Sequence, residues 1–137
     1  MKKMNEELKQ GNIFGFGAPN EAYAKFFIGN SFLKTLVADD DIDVSVGNVT
    51  FEPGCRNNWH VHFDYQILLV TGGEGWYQEA GKEARKLVPG DVVVTKSNVK
   101  HWHGATKNSW FEHIAITKGK SEFLEPVSDD EYNQLEG

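Results

Sequence analysis

Residues 54–73 read GCRNNWHVHFDYQILLVTGG, and the pair His60 and His62 at the centre of this stretch decides the fold. Because alternate residues of a β-strand point to the same face, the two imidazoles of such a pair lie side by side. The chain turns near 63–64, and Gln66 near the start of the return strand can then lie close to both histidines. The stretch therefore predicts a β-hairpin that groups nitrogen and oxygen donors at one end.

The same spacing occurs again at His101 and His103, which follow a short apolar strand at 92–94. Two such strands placed side by side would bring three or four neutral imidazole nitrogens to one point, which is the chemistry of a metal site. Three histidines and one amide oxygen leave positions open for water or substrate, as in catalytic sites. Imidazole suits zinc, manganese, iron, nickel and copper alike, so the residues by themselves leave the metal open.

Turn signals divide the rest of the chain into short runs rich in β-branched and aromatic residues. The chain has 14 glycines, and most of them bound these runs. Such a pattern without intervening helices predicts an all-β protein, an antiparallel sandwich or barrel. The step Gly47-Asn48 predicts a β-bulge inside one strand. The predicted strands are 33–38, 43–51, 58–62, 65–71, 74–79, 84–88, 91–95, 100–105, 110–117 and 122–126.

Helical patterns occur at the two ends of the chain. Residues 2–10 could form a short helix. Ser128 followed three residues later by Glu131 has the form of a capping box, and the helix that it opens would bury Tyr132 and Leu135. The sequence therefore predicts one domain with short helical extensions, divided into an N-terminal arm, a barrel and a C-terminal helix or tail at 1–30, 31–126 and 127–137.

The composition is that of an ordinary globular protein, with 137 residues, of which 25% are charged and 39% are hydrophobic. The formal net charge of -6 argues against nucleic acid or an anionic membrane as a partner. No apolar run approaches the roughly 18 residues that span a bilayer, and the charged N-terminus lacks the apolar stretch of a signal peptide. The single cysteine, Cys55, excludes an internal disulfide and fits a reducing compartment. We therefore expect a cytoplasmic protein.

The two histidine segments together resemble the paired motifs of the cupin superfamily. The matching residues are Gly54-x5-His60-x-His62-x3-Gln66-x6-Gly73 for the first motif and Gly90-x10-His101 for the second. The resemblance covers roughly residues 31–118 and implies a double-stranded β-helix, the jelly-roll barrel of cupins, which is often dimeric. It also implies a divalent metal ion whose ligands are His60, His62, Gln66 and His101.

The chain departs from the usual cupin motifs at three positions. The first motif usually carries a glutamate where this chain has Gln66, and the second carries a proline and an asparagine where it has Lys96 and Ala105. A neutral amide leaves a divalent ion with its full charge, which makes the ion a stronger Lewis acid. The substitution therefore favours polarising a hydroxyl, a carbonyl or an enolate over activating oxygen.

A narrower resemblance is to a small bacterial cupin subgroup, often named beside carboxymuconolactone decarboxylases, whose members include manganese-dependent hydroxynitrile lyases. It rests on segments 56–60, 75–76 and 101–105. The resemblance implies manganese as the metal, with iron, zinc or nickel as alternatives. In the lyases a threonine commonly precedes the position of Asn58, where this chain has Asn57.

His103 is the predicted acid–base residue. It shares a strand face with His101 but lies about 7 Å further along, so it would sit beside the open positions of the metal. An imidazole near its ordinary pKa can take a proton from a hydroxyl there, although a core histidine bonded to a backbone carbonyl is an equally good interpretation. Arg56 and Asn57 could hydrogen-bond a polar group of the substrate. His113 could line the same cavity, but a buried core histidine is the simpler interpretation.

Taken together, the residues and the resemblance predict a metal-dependent lyase that acts on a small organic molecule. Two alternatives stay open, an iron-dependent dioxygenase and a non-catalytic module that binds a metal or a small ligand. We also expect a homodimer, in which the hydrophobic stretch 26–28 covers the sheet edge of a partner.

Overall fold

The computed structural model describes residues 12–135, and within them the chain forms two β-sheets, a short 3-10 helix at Glu21–Phe26 and a C-terminal helix. The helix expected at 2–10 lies outside the described residues. No helix of the described part is long and apolar enough to cross a bilayer. The elements are β1 Ala18–Pro19, β2 Phe27–Ile28, β3 Ser31–Val37, β4 Ser45–Phe51, β5 Arg56–Asn57, β6 His60–His62, β7 Tyr65–Gly73, β8 Gly75–Glu79, β9 Arg85–Leu87, β10 Val92–Thr95, β11 His101–Ala105, β12 Phe111–Lys118, β13 Ser121–Phe123 and α1 Asp129–Asn133.

The strands pair antiparallel throughout the described chain. The first sheet has the order β1-β3-β4-β12-β7-β10, and the second has the order β13-β6-β11-β5-β2, with β8 joined to β11 and to β9. Sequential strands therefore cross repeatedly from one sheet to the other, which winds the chain into a double-stranded β-helix. This confirms the predicted all-β class and the jelly-roll barrel.

The interior of the barrel holds an apolar cluster contributed by both sheets. Phe51 and Phe111 face inward from the first sheet and Leu87 from the second, and all three are completely buried. Burying an aromatic or aliphatic side chain of this size stabilises the fold by about 2–3 kcal/mol. The whole cluster comprises Phe51, Cys55, Leu68, Val70, Tyr77, Leu87, Val93, Ala105 and Phe111.

A second apolar cluster covers the outer face of the second sheet, where Trp102 of β11 is completely buried beneath the C-terminal tail. Helix α1 begins with the predicted capping box: the Ser128 hydroxyl accepts from the Glu131 N–H, and the Glu131 carboxylate accepts from the Ser128 N–H. Tyr132 is buried in this cluster, and Leu135, just beyond the helix, packs against it. The capping box thus places the tail where it can shield the tryptophans from water.

The expected bulge lies in the neighbouring strand rather than at Gly47. Strand β4 pairs without interruption with β12, whereas its pairing with β3 shifts between Thr35 and Val37. A Cβ atom at Gly47 would come within 2.9 Å of the Leu33 side chain. The glycine therefore leaves room for the Leu33 side chain, and the extra residue lies in β3.

Residues near the chain start contribute strands to both sheets. Strand β1 pairs with β3 of the first sheet, and β2 pairs with β5 of the second, so the segment between them passes from one sheet to the other. The predicted strand 58–62 is shorter in the structure: β6 begins at residue 60, and β5 precedes it at 56–57, since the chain leaves the ladder at 58–59. The division at residues 30 and 126 into arm, barrel and tail stays a prediction.

Candidate metal centre

The two histidine segments lie side by side in the second sheet, because β6 pairs with β11 and His60 stands opposite His101. The ring centroids of these two residues are 4.1 Å apart, and the His62 ring lies 4.9 Å from His60 and 5.0 Å from His101. All three side chains are buried. The strand spacing thus gathers the three imidazoles that the sequence predicted to come together.

Hydrogen bonds set which nitrogen of each ring is free. In His60 and in His101, Nδ1 lies 2.8 Å from the carbonyl oxygen of the residue two positions earlier. A carbonyl oxygen only accepts, so Nδ1 carries the proton and the lone pair is on Nε2. His62 Nδ1 lies 2.6 Å from the Ser121 hydroxyl. Such outer partners fix the orientation of histidines that bind a metal.

Three atoms whose lone pairs could bind a metal are buried here and have no hydrogen-bond partner among the described residues. They are His62 Nε2, His101 Nε2 and Gln66 Oε1. The amide nitrogen of Gln66 donates to Thr117 Oγ1 at 3.0 Å, which leaves its oxygen free. Buried polar atoms are rarely left without a partner, and imidazole and amide lone pairs gathered in one place suit a divalent cation. The residues present therefore fit a divalent metal ion.

A second set of possible metal-binding atoms overlaps with the first. Ring nitrogens of His60, His101 and His103 all lie within 4.8 Å of one another and could together hold a metal ion. The two sets share His60 and His101 and differ in their third histidine. The ring nitrogens of His103 have partners in the protein, whereas His62 Nε2 has none among the residues that the structure describes.

His103 is held by two buried neighbours. The Asn57 side-chain oxygen, Oδ1, accepts from the His103 backbone N–H at 2.9 Å, which turns the side-chain amide nitrogen toward the ring, 3.2 Å from Nε2. On the other side, His103 Nδ1 lies 3.1 Å from His113 Nε2. The structure thus brings Asn57 and His103 together, and it adds His113 to the site.

His113 has a signal in the sequence that allows it to be placed in the cavity. It alternates with Phe111 and Ala115 along β12, and all three face the interior of the barrel. The interpretation as a buried core histidine agrees with its complete burial, but its ring also lines the cavity. The contact with His103 depends on how two strands face each other across the barrel, which local periodicity does not reveal.

Burial keeps the imidazoles of the site neutral in the metal-free protein. Desolvation lowers the pKa of His101 to about 4 and that of His113 to about 3. It also lowers the pKa of His103 well below the ordinary value, with the charges of neighbouring imidazoles adding to the effect. The expectation of a near-ordinary pKa for His103 is therefore wrong, because a protonated ring would lose its hydration there. The neutral form is the one that binds a metal or accepts a proton.

Arg56 is not brought to the cavity. Consecutive residues of a strand point to opposite faces, so Asn57 faces the interior and Arg56 faces outward. The Arg56 guanidinium donates to the Val127 carbonyl oxygen at 3.1 and 2.9 Å and to Asp129 at 2.8 Å, and it lies 4.3 Å from the Tyr132 ring. The side chain therefore secures the C-terminal tail, which corrects the expectation that it contacts a substrate.

Four of the histidines, His60, His62, His103 and His113, line a cavity of about 680 Å³. Its apolar wall is largely aromatic and includes Phe26, Phe27, Phe51 and Phe123. The charged side chains among the described lining residues belong to Lys120 and Glu122, which are exposed to solvent. The inner part of the cavity is therefore neutral, and its aromatic rings contact the imidazoles directly, as Phe51 contacts His103 and Phe123 contacts His60.

The family model for the cupin domain matches residues 47–117, more than half of the chain. The chain belongs to the cupin family. This cupin is 38% identical to an (R)-mandelonitrile lyase from Granulicella tundricola, over 88% of this chain and 95% of the relative. The two histidine segments therefore lie in a chain whose resemblance extends well beyond the motifs.

Solved structures agree with this assignment. A cupin-like protein from Thermotoga maritima superposes with a TM-score of 0.84 at 44% identity, covering 89% of this cupin and 95% of that chain. A cupin 2 conserved barrel domain protein from Rhodopseudomonas palustris superposes with a TM-score of 0.66 at 15% identity, covering 86% and 81%. The second likeness concerns the fold alone.

Proposed function

We propose that this cupin is a metal-dependent lyase that cleaves the carbon–carbon bond of a small cyanohydrin. The observation that carries the proposal is the convergence of unpartnered donor atoms of His62, Gln66 and His101 beside the buried pair His103 and Asn57. The relative named as a mandelonitrile lyase supports the choice of reaction.

In this proposal His60, His62, Gln66 and His101 hold the ion, and His103 stays outside the ligand set. This choice is supported by the hydrogen bonds of the two candidate histidines: the ring nitrogens of His103 are engaged by Asn57 and His113, whereas His62 Nε2 has no partner among the described residues. The ion supplies Lewis acidity toward the substrate oxygen when bound. We propose manganese as the ion. An all-neutral donor set leaves it with its full positive charge.

His103 acts as the proton acceptor. Its Nε2 accepts a hydrogen bond from the Asn57 amide in the substrate-free protein, gives up that bond, and takes the proton of the substrate hydroxyl. The bond between the carbinol carbon and the nitrile carbon then breaks, its electron pair leaves with cyanide, and a carbonyl group forms. Cyanide takes the proton from Nε2 and leaves as hydrogen cyanide, so atoms and charge balance. His113 holds the ring at Nδ1 while Nε2 gains and loses the proton, and the Asn57 side-chain oxygen fixes the His103 backbone.

The cavity fits a neutral aromatic substrate. Phe27 and Phe51 form part of the apolar wall near the histidines, with centroids 5.8 Å apart, and a small aryl ring can pack against them. Arg56 faces the tail rather than the cavity, so the leaving group departs past neutral groups. A carboxylate-bearing substrate would lack a buried cation among the described lining residues.

Turnover of racemic mandelonitrile tests the proposal. Protein loaded with manganese should release benzaldehyde, followed by its ultraviolet absorbance, and the rate should be the same without oxygen. His103→Ala should keep the metal but lose at least about 100-fold in rate, the usual scale of a general base. An oxygen requirement would instead favour the dioxygenase. Bound metal without turnover of any cyanohydrin would favour a binding module.

We also propose a homodimer and a cytoplasmic location. The rings of the stretch 26–28, expected to cover the sheet edge of a partner, are engaged within their own chain: Phe26 stacks on Phe123 at 4.3 Å, and Phe27 packs against the core. Strand β10 ends the first sheet and exposes Val92 and Val94, and an unprotected apolar edge of this kind favours pairing with a second copy. Light scattering at twice the mass of 15.4 kDa would support the dimer, and a monomer would contradict it.

A further inference from the structure

Thr117 stands directly opposite Gln66 in the pairing of β12 with β7, and both side chains reach the cavity. The Gln66 amide nitrogen donates to the Thr117 hydroxyl oxygen at 3.0 Å. On the far side of the same amide, Oε1 is buried without a partner among the described residues. The nitrogen end of the amide is therefore satisfied by Thr117, while the oxygen end is directed toward the His62 imidazole.

From this arrangement we propose that Thr117 is a positioning residue that presents the Gln66 oxygen, rather than its nitrogen, to the metal. The inference rests on the proposed metal site.

The physical reason lies in the near symmetry of an amide. Its oxygen and its NH₂ group have similar shapes but opposite hydrogen-bonding properties, and only the oxygen has a lone pair for a cation. When Oε1 binds the ion, the NH₂ group must be buried on the opposite side. Thr117 Oγ1 accepts from it there, so the orientation that binds metal leaves no donor unsatisfied. A carboxylate has no wrong end, and a ligand glutamate would not need this selection.

Thr117→Val tests the inference, because valine keeps the shape and the strand preference of threonine and removes the acceptor. Outer partners of metal ligands contribute about 10- to 100-fold to affinity, so the dissociation constant for Mn²⁺ should rise by that factor in titration calorimetry. Thr117→Ser retains the hydroxyl and should stay within about threefold of wild type. Rescue by serine separates the hydrogen bond from a general effect on packing.

Ser45→Ala is the matched control. Ser45 stands opposite Thr117 on the other neighbouring strand and lines the same cavity, and its hydroxyl bonds the Thr117 carbonyl oxygen rather than Gln66. Removing this hydroxyl should leave Mn²⁺ affinity unchanged. An equal loss in Ser45→Ala and Thr117→Val would overturn the inference.

A second measurement uses the metal-free protein. The Gln66 side-chain NH₂ signals in ¹H–¹⁵N spectra should exchange slowly in wild type and shift upfield and exchange faster in Thr117→Val. If wild type binds Mn²⁺ and Thr117→Val binds it equally well, the inference fails while the metal site stands. If wild type binds no divalent ion, both the proposed site and the inference are overturned.

Discussion

Replacing Arg56 by methionine should cost stability rather than activity. Methionine keeps an apolar stem in a position where the residue is only 4% exposed, and it removes the guanidinium. Three features are lost together: two hydrogen bonds to the Val127 carbonyl, the ion pair with Asp129, and the contact with the Tyr132 ring. The C-terminal tail loses the group that fixes it to β5.

The loss can be divided among these contacts. A buried carbonyl that loses a charged donor costs about 1.5–3 kcal/mol. The Asp129 carboxylate is 83% exposed, so its ion pair contributes at most about 1 kcal/mol. The contact with the aromatic ring adds about 0.5–1 kcal/mol. We therefore expect the free energy of unfolding to fall by about 3 kcal/mol.

Urea unfolding followed by tryptophan fluorescence measures this change, because the C-terminal tail covers Trp102. The midpoint should fall while the slope with urea stays the same. Asp129→Asn is the matched control and should cost less than about 1 kcal/mol. Mn²⁺ affinity and mandelonitrile turnover should change less than about threefold in Arg56→Met, measured where it is fully folded. An unchanged midpoint together with a 100-fold loss of turnover would refute this account and place Arg56 on the substrate.

Two further predictions concern the stability of the barrel. Acid should destabilise the metal-free protein: the folded pKa values of His101 (about 4) and His113 (about 3) lie below the ordinary 6.5, so the unfolded chain binds more protons as the pH falls. The contribution of each histidine to the free energy of unfolding is fully present above pH 6.5 and should fall by about 2 kcal/mol at pH 5. A urea midpoint that stays constant from pH 7 to pH 5 would contradict this. Gly104→Ala should lower the free energy of unfolding by more than about 2 kcal/mol, since a Cβ at this position would lie 2.6 Å from the Arg56 Cα. An unaltered thermal midpoint would contradict this and show that β5 and β11 can separate to make room.

Strand periodicity predicted part of the histidine cluster. Two-residue spacing placed His60 and His62 on one face of a strand. The position of His101 beside them depends on the pairing of β6 with β11, which the resemblance to cupins implied. The capping box at Ser128 was equally local, since its hydrogen bonds link residues three apart.

The features that the sequence did not reveal depend on distant contacts. The sequence predicts a strand that begins at 58, which leaves Arg56 and Asn57 together in a loop. The observed strand β5 begins at 56 and directs the two side chains to opposite faces. The contact of His103 with His113, and the low pKa values it accompanies, arise from how the two sheets enclose the site. The spacing of residues along one strand predicts neither which side chains of distant strands come into contact nor how deeply they are buried.

The most direct test of the central claim is the metal content of protein purified without added metal. The account predicts about one divalent ion per chain, manganese foremost, as four ligands around one ion require. It also predicts that His62→Ala and Gln66→Ala each lower the content, while His103→Ala does not. A wild-type protein that holds no metal and takes up none from solution would contradict the account, and so would loss of the ion in His103→Ala with retention in His62→Ala.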